Sequence, residues 1–512
     1  MRYRYYDVVV LGGDLGGCLT AALAAKRGLR VLLLGQGARP AEYRIGGHAF
    51  PRAPYTFGAA HSETAKRVLG ELAMGQVFRR RAAQMDPTFQ LATPSHRIDA
   101  PADPELFERE IEREFPDVRR AALDVLRLVQ RTGAELEQVL ERSPFWPPTT
   151  FLQRREFARA TAHRVFDRSG AGFDPFAQLP SSHPLRTLVG VPGAFAANLD
   201  PAQLPPLAVL RLFESWTRGS ARLRGGLRWF IEALVERIEA NSGDVRIDEG
   251  AEALLTKRGA VTGVRLAASD EEIGAGAVVC AIPVMDAAKL LADRGLLGEL
   301  FERHGEPSVR YFRYTLNILA AEEGFPVGMG RDVFSIFDDR SPRSGANMLR
   351  LSAAAPDGSG TRLLTVEALL PRREVEEVGR QLRSARERIL GAVTELAPFF
   401  GDHIHLVDSP HDGRDLQDFA QRTSIAPEKP WTRGPSTMKR VHGFPVLDHL
   451  GCQGMPVLTP VRNLLLSGSQ IWPALGEEGL FLAAQTAAEQ LLRSERGRSW
   501  KRFRLRDRLD VG

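Results

Sequence analysis

The chain has 512 residues, 43% apolar and 26% charged, and its 68 basic and 63 acidic side chains leave a formal net charge of +5. This length exceeds one compact core, so we expect two or three domains, and the apolar content excludes a largely disordered chain. The small basic excess lacks the density and interleaved aromatics of a nucleic-acid-binding domain, so no nucleic-acid partner is predicted.

An alternation of strand, glycine-rich turn, helix and strand opens the chain. Residues 7–11 form an apolar run typical of a buried parallel strand, residues 18–27 have helical composition, and residues 30–34 form a second apolar run. The turn after the first strand reads Gly12-Gly13-Asp14-Leu15-Gly16-Gly17. This order within about 30 residues is the context in which a glycine-rich turn binds a dinucleotide at a helix N-terminus.

Two of the usual dinucleotide-binding features are changed in this unit. Asp14 occupies the middle position of the glycine motif and places a carboxylate where a pyrophosphate meets bare N–H groups. Like charges about 4 Å apart near a protein surface repel by roughly 4 kcal/mol at an effective dielectric of about 20. The second strand should end in an acid that binds the ribose, and Gly35 stands at that position.

The three cysteines, Cys18, Cys280 and Cys452, stand far apart without a CxxC pair. This excludes a disulfide scaffold and a cysteine zinc site, and because the histidines form no recognisable ligand cluster, no metal site is predicted. The longest weakly charged stretches, 8–25 and 463–488, contain acids and glycines and are not expected to span a membrane. The first 18 residues resemble a lipoprotein signal that ends at Cys18, but Asp14 lies within the apolar run and favours a cytoplasmic protein.

The middle of the chain has the composition of a substrate domain. Residues 104–141 are interpreted as a long amphipathic helix packed on the domain, with a helix lying on a membrane as the alternative. Residues 143–148 place Phe145 and Trp146 beside prolines, and we interpret them as a structural loop cap. Residues 198–216 and 311–319 are candidate pocket walls, the second predicted as a strand.

Three groups of basic residues leave peripheral membrane contact open as an alternative. Arg154, Arg155 and Arg159 follow the aromatic loop, and further clusters lie at 79–81 and 501–506. A solvated protein face is the favoured interpretation of each cluster, and weak attraction to a membrane surface is the alternative.

Three further segments carry a resemblance to a known family. The first is Arg44-Ile45-Gly46-Gly47, which follows the second strand. The second begins with a glycine pair at 225–226 and continues through a helix over 228–241, strands over 243–247 and 261–266, and a returning strand over 277–283. The third covers 463–480 and precedes a helix over 481–492. In this order the chain resembles the FAD-dependent phytoene desaturases and amine oxidases.

The resemblance implies an α/β fold with a Rossmann-like FAD-binding domain of the amine-oxidase type, built from discontinuous segments, and an α+β substrate domain. The expected segments are a dinucleotide-binding segment 1–75, a mostly helical substrate or lid segment 76–222, a return to the FAD domain 223–290, a substrate-domain sheet with helices 291–440, a C-terminal FAD-binding segment 441–495 and a basic tail 496–512.

The cofactor that the resemblance implies is FAD. The implied cofactor contacts are Gly12, Gly13, Asp14, Leu15, Gly16, Gly17, Gly35, Arg44, Gly46, Gly47, Ala253, Gly468, Ser469, Gly479 and Leu480. Ala253 stands near the place where relatives have a valine against the adenine. Ser469 replaces the family's aspartate, so three contacts to one cofactor are weakened and its binding is left open. Glu477 and Glu478 are candidates for proton transfer, with a role as helix-dipole partners as the alternative.

Two functions are therefore expected. The first is an FAD-dependent oxidoreductase that dehydrogenates or reduces a long apolar substrate of the isoprenoid or carotenoid kind, in which the cofactor takes the hydride while the protein orients the substrate. The alternative is a non-catalytic, flavin-free member of the same fold that binds a lipid or protein partner. Reverting Asp14→Gly, Gly35→Glu and Ser469→Asp together is expected to restore flavin uptake if these sites caused its loss.

Overall fold

Two large sheets organise the chain. The computed structural model describes residues 4–142, 146–148, 150–161, 173–341, 343–356, 358–373, 380–428 and 433–509. The first sheet has the strand order β10-β11-β12-β1-β2-β9, with β21 paired to β12. Its strands are β1 (Arg4–Leu11), β2 (Val31–Leu34), β9 (Asp244–Arg246), β10 (Ala251–Lys257), β11 (Ala260–Leu266), β12 (Glu272–Cys280) and β21 (Leu464–Leu466).

The centre of the first sheet is parallel and buried. Strand β1 lies between β2 and β12, and all three run in the same direction. Residues 8–11 and 31–34 are covered on both faces, since helices pack on each side of the sheet. These helices include α1 (Leu15–Lys26), α9 (Gly226–Ala240) and α13 (Gly476–Leu509).

The strands of this sheet come from three separated parts of the sequence, so the discontinuous Rossmann-like domain implied by the resemblance is confirmed. The glycine pair lies at the start of α9, with Gly225 as its N-cap and Gly226 as its first residue, and the 277–283 segment contains the end of β12 beside β1, as the resemblance implies. The expected segment boundaries stay a prediction.

The second sheet forms the core of the other domain. Its order is β19-β18-β17-β13-β16-β15-β14-β6-β7, with β20 paired to β13. Its strands are β6 (Phe89–Ala92), β7 (Arg97–Ala100), β13 (Ser308–Ala321), β14 (Asp332–Ile336), β15 (Met348–Ala353), β16 (Thr361–Pro371), β17 (Ile404–Asp408), β18 (Leu416–Asp418), β19 (Thr423–Ile425) and β20 (Lys439–Gly443). The predicted strand over 311–319 is confirmed as part of β13.

Helices cover this second sheet. The remaining strands form two short pairs, β3 (Glu42–Ile45) with β4 (His48–Pro51) and β5 (Ala82–Gln84) with β8 (Ala221–Leu223). The remaining described helices are α2 (Glu63–Glu71), α3 (Gly75–Arg81), α4 (Pro104–Glu114), α5 (Arg119–Arg142), α6 (Phe151–Thr161), α7 (Pro184–Ala196), α8 (Pro206–Thr217), α10 (Val284–Lys289), α11 (Gly298–His304) and α12 (Arg380–Leu396). Apolar side chains of α4, α5, α7 and α8 pack together with residues of the sheet.

Two sequence predictions about helices need correction. The helix expected over 104–141 is divided into α4 and α5 by a short 3-10 turn that starts at Pro116, because proline lacks an N–H and restricts the residue before it. The C-terminal helix begins at Gly476, earlier than the expected 481, and continues to Leu509 through most of the expected tail.

The aromatic loop has a structural role at Trp146. Its indole is fully buried and stacks on that of Trp472, with ring centroids 4.7 Å apart. The Trp146 carbonyl accepts hydrogen bonds from Trp472 Nε1 at 3.0 Å and from the Thr486 hydroxyl at 2.7 Å. Phe145 lies outside the described residues. This burial agrees with the loop-cap interpretation.

The structure bears on two predictions, that the cysteines form no disulfide and that no segment spans a membrane. Cys18, Cys280 and Cys452 are buried and free. Across the part of the chain that the structure describes, every helix is too short or too polar to cross a membrane.

Candidate functional site

Two turns and a helix start meet at the carboxyl ends of β1, β12 and β21. The first is the glycine turn between β1 and α1, the second is the 468–470 turn after β21, and the third is the N-terminus of α13. A Cβ added to Gly16 would lie 2.9 Å from the Cα of Gly468, and the Thr20 and Ser467 hydroxyls are 2.8 Å apart. In open α/β sheets, ligands bind at this edge of the strands.

The glycine turn has the tight geometry that the sequence predicts. Gly12 has φ 122°, and a Cβ on Gly17 would lie 1.8 Å from the Gly12 carbonyl oxygen, so these positions require glycine. Asp14 is the N-cap of α1, and its carboxylate accepts a hydrogen bond from the Gly17 N–H at 3.2 Å. An N–H at the positive end of the helix is therefore already engaged by an acid of the chain itself.

The outer end of the cleft, beyond the end of β2, is filled by the segment after β9. A Cβ on Gly35 would lie 1.8 Å from the Ile247 carbonyl oxygen. The Ile247 side chain lies over Gly13, since its Cδ1 is 2.4 Å from the position of a Cβ there. The backbone of residue 247 thus occupies the space beside Gly35 that a ribose-binding side chain would need.

Gln36 closes the same outer end with a pair of hydrogen bonds. Its Nε2 donates to the Ala251 carbonyl at 2.7 Å, and its Oε1 accepts from the Ala251 N–H at 2.8 Å. Ala253, the residue implied by the resemblance, lies two positions further along β10, opposite Arg265. The residue whose backbone meets Gln36 is therefore Ala251.

A cavity of about 150 Å³ lies at the inner end, next to the start of α13. Part of its wall comes from the predicted 198–216 segment, including Asn198, Leu212 and Trp216. The other lining residues used below are Tyr55, Phe195, Lys439, Ser469, Glu477 and Glu478. Ligand pockets commonly measure about 300–1,000 Å³, so a cofactor-sized ligand must extend from this cavity into the adjoining cleft.

Glu477 is a titratable group of this cavity. Its Oε1 accepts a hydrogen bond from the Tyr55 hydroxyl at 2.6 Å, and Oε2 accepts from the Gly58 N–H at 3.1 Å. Burial raises the pKa of Glu477 to about 7, although these hydrogen bonds to the carboxylate act in the opposite direction. Its carboxyl group is therefore suited to exchanging a proton near neutral pH.

Glu478 has a different role, because it is part of a buried ion-pair network. Arg211 binds both of its oxygens at 2.7 and 2.9 Å, and the Ser62 hydroxyl donates to it at 2.6 Å. Burial raises the pKa of Glu478, but Arg211 and Ser62 outweigh this effect and lower it. Arg211 also pairs with Glu214 at 2.7 Å. Glu478 therefore remains ionised and anchors the first turn of α13 to α8.

Lys439 is a residue of this site that sequence reasoning missed. It lies on β20, and its side chain is exposed at the wall of the cavity. Desolvation by the surrounding protein lowers the pKa of Lys439 and Arg313 adds to the effect, while the carboxylates of Asp14, Glu367 and Glu477 oppose it. Nothing in the sequence around Lys439 marks it, because the fold brings it to residues as distant in the sequence as Tyr55 and Phe195.

Ser469 faces the same cavity. Its Oγ accepts a hydrogen bond from Asn198 Nδ2 at 3.1 Å. The Asn198 Oδ1 is buried and has no hydrogen-bond partner among the described residues. An unpaired buried oxygen is costly in a folded protein, so this edge of the cavity has an open position for a hydrogen-bond donor.

The remaining predicted contacts lie at the edges of the site. Gly46 and Gly47 form the turn between β3 and β4 with φ 55° and 79°, and Arg44 is exposed on β3. Gly479 packs against the Trp472 carbonyl, where a Cβ would lie only 2.5 Å from the oxygen. Leu480 contacts the position of Gly16. No cluster of metal-ligating side chains is present within the described ranges.

The halves of the cleft differ in how they fit a dinucleotide. The inner half has a cavity with Lys439, Ser469 and the free Asn198 oxygen, which fit a polar aromatic ring. The outer half fits an adenosine only after Gln36 and the side chain of Ile247 are displaced, since these groups fill its place.

Comparisons with known proteins agree with this architecture. Residues 10–72 match the model of an NAD(P)-binding Rossmann-like domain. No curated protein matches the sequence. An oxidoreductase from Methanosarcina mazei is similar in structure, with 16% identity, a TM-score of 0.57, and coverage of 94% of this chain and 99% of that one.

Two amine oxidases have similar structures. Putrescine oxidase bound to putrescine has 13% identity and a TM-score of 0.59, and cyclohexylamine oxidase from Brevibacterium oxydans has 12% identity and a TM-score of 0.53. Each comparison covers 96% of this chain and 99% of the other. Likeness at such identities establishes a shared fold, so the amine-oxidase-like architecture that the sequence motifs indicated is confirmed.

Proposed function

Starting from the amine-oxidase fold, we propose that this protein is a flavin-dependent oxidoreductase, with FAD as its cofactor and an apolar substrate. The observation that carries the proposal is the inner cavity, which is lined by the 54–58 segment, α8, the 468–470 turn and the start of α13, with Glu477 and Lys439 on its wall. Solved structures of this fold include an oxidoreductase and two amine oxidases, which supports a redox reaction.

The inner cavity has groups suited to holding a flavin ring. Ser469 and Asn198 offer a hydroxyl and a free amide oxygen, and Lys439 offers an ammonium group. A bound flavin supplies the capacity to accept or return a hydride. The chain itself then has to orient the substrate, exclude water and handle any proton.

Glu477 is suited to the proton-handling role. Its pKa of about 7 lets the carboxyl group hold a proton at one oxygen or release it near neutral pH, and Tyr55 fixes its orientation. Phe195, Leu212 and Trp216 provide apolar wall in the same cavity, which favours an apolar substrate and excludes water. A long isoprenoid-like chain is the substrate class that we propose.

A surface patch on α6 supports contact with a membrane, where such a substrate would be found. Phe151 and Leu152 are 78% and 67% exposed, and Arg154 and Arg155 follow them on the same helix. Exposed apolar residues beside basic ones suit binding at the surface of an anionic bilayer. We infer a peripheral membrane contact at this end of α6.

The flavin-free alternative is favoured by one specific observation. The space beside Gly35 is taken by backbone, and Gln36 engages the backbone of Ala251. A chain that had lost its cofactor would have freedom to fill the outer cleft in this way. In that case the inner cavity would bind a lipid or a segment of a protein partner.

Absorbance spectroscopy separates the two functions. The purified protein, and the protein after incubation with FAD and removal of free cofactor, should show flavin bands in the near-ultraviolet and blue that are shifted from those of free FAD. Thermal stability should rise with FAD, since a ligand that binds only the folded state stabilises it. A colourless protein whose melting temperature FAD leaves unchanged would contradict the oxidoreductase and favour the flavin-free function.

A further inference from the structure

We propose that Gln36 is an intramolecular competitor of the adenosine half of a dinucleotide and so determines which flavin species this site prefers. The inference deepens the proposed function and rests on it. It follows from the position of Gln36, from the chemistry of its side chain and from the neighbouring Ile247.

Gln36 lies where a Rossmann unit would bind the adenosine of a dinucleotide. In a Rossmann unit the pyrophosphate lies at the start of the first helix and the ribose at the end of the second strand. The adenine therefore lies beyond the end of β2. Gln36 follows β2 at a distance of two residues, with a left-handed backbone (φ 53°) that directs its side chain to Ala251 across the cleft.

The chemistry of the Gln36 side chain matches the edge of an adenine. A carboxamide has an NH₂ donor beside a carbonyl acceptor, and adenine has an amino donor beside a ring-nitrogen acceptor. The two carboxamide atoms engage the carbonyl and the N–H of one residue, Ala251, at 2.7 and 2.8 Å. An adenine that used the same backbone groups would have to displace both hydrogen bonds.

Ile247 adds a steric component to this competition. Its side chain lies over Gly13 and is 37% exposed, so it covers the turn without being part of the core. Asp14 adds a charge component, because its carboxylate caps α1 where a phosphate would bind. All three groups act on the adenosine and pyrophosphate parts of a ligand, and none of them lines the inner cavity.

A ligand without adenosine should therefore escape the competition. Riboflavin meets only the inner cavity and the adjoining cleft, whereas FAD and ADP must also displace Gln36. A tenfold change in affinity corresponds to about 1.4 kcal/mol, which is the scale of the hydrogen bonds that Gln36 makes to Ala251. Removing the competitor should strengthen the binding of FAD and ADP by about tenfold and leave riboflavin unchanged.

The experiment measures dissociation constants for FAD, ADP and riboflavin by fluorescence and calorimetric titration of the full chain. The variants are Gln36→Ala, Ile247→Ala and the double variant, with Gln36→Met as a version that keeps the side-chain bulk. The control is Gln90→Ala, because Gln90 pairs in the same way with the Gly330 N–H at 2.6 Å and the Gly328 carbonyl at 2.9 Å in the other domain.

The expected result is a gain of about tenfold for FAD and ADP in Gln36→Ala and in the double variant, with no change for riboflavin or for the control. An unchanged or weakened affinity for ADP in these variants would overturn the inference. If ADP binding improves but no variant takes up any flavin, the oxidoreductase proposal fails while the competition stands. If the unaltered protein binds FAD and the variants bind it no better, the competition fails and the oxidoreductase stands.

Discussion

Substituting Gly35 by alanine should destabilise the protein strongly. The added Cβ would lie 1.8, 2.6 and 3.0 Å from the O, C and Cα atoms of Ile247. Because all three atoms are backbone, no side-chain rotation relieves the clash, and ordinary contact at 3.4 Å requires a shift of 3.4 − 1.8 = 1.6 Å. That shift separates β2 from the segment after β9, which is held by hydrogen bonds from the Gly35 N–H to Arg246 and from the Gln36 N–H to Glu249.

The expected loss combines two effects. Two hydrogen bonds at roughly 0.5–1.5 kcal/mol each and overpacking at roughly 1–3 kcal/mol give a loss of about 2–6 kcal/mol in the free energy of unfolding. Urea denaturation followed by tryptophan fluorescence measures it. The control is Gly70→Ala on α2, where a Cβ meets no atom within 4 Å and improved helix propensity should stabilise the protein slightly.

The same geometry corrects an expectation drawn from the sequence. Gly35→Glu, part of the triple reversion, cannot direct a carboxylate toward a ribose because residue 247 occupies its path. Adding Gly35→Glu to Asp14→Gly and Ser469→Asp should therefore give no gain in FAD uptake. If Gly35→Ala is as stable as the unaltered protein, or if Gly35→Glu raises FAD uptake, the position we assign to residue 247 is wrong.

Two further predictions concern Glu477 and the α6 surface. The folded-state pKa of Glu477, about 7, lies above its ordinary value of 4.5, so the folded state binds the proton more tightly and stability falls as pH rises from about 4.5 through 7. The Glu477→Gln variant cannot ionise at this position, so its free energy of unfolding should rise relative to that of the unaltered protein by up to about 3 kcal/mol between pH 5 and pH 8. Urea denaturation at the two pH values measures this difference. A difference between the two proteins that is equal at pH 5 and pH 8 contradicts the prediction. On α6, the double substitution Phe151→Ser with Leu152→Ser should reduce co-sedimentation with vesicles of phosphatidylcholine and phosphatidylserine. The control is Phe399→Ser, at an exposed residue of the other domain, which should leave co-sedimentation unchanged. Equal sedimentation of both variants refutes the membrane contact.

Local patterns in the sequence were sufficient to predict the fold. The apolar runs that became β1 and β2, the glycine turn between β1 and α1, and the 463–480 segment are local patterns, and local patterns dictate strands, turns and helix starts. The sequence also showed that Asp14 and Gly35 depart from the dinucleotide-binding motif, because the motif specifies a residue type at each position. The N-cap role of Asp14 was not predicted, because the helix was expected over 18–27 and begins at Leu15, directly after Asp14.

The way in which the site is filled depends on contacts between distant segments and could not be predicted from the sequence. Gln36 meets Ala251, Gly35 faces Ile247, and Lys439 lines one cavity with Tyr55 and Phe195, in each case across a long sequence separation. The two neighbouring glutamates were alike in the sequence, but Arg211 lowers the pKa of Glu478, whereas burial raises the pKa of Glu477 to about 7 against the opposing effects of Tyr55 and Lys439. Burial and partners set these properties, and both depend on which distant segments the fold brings together.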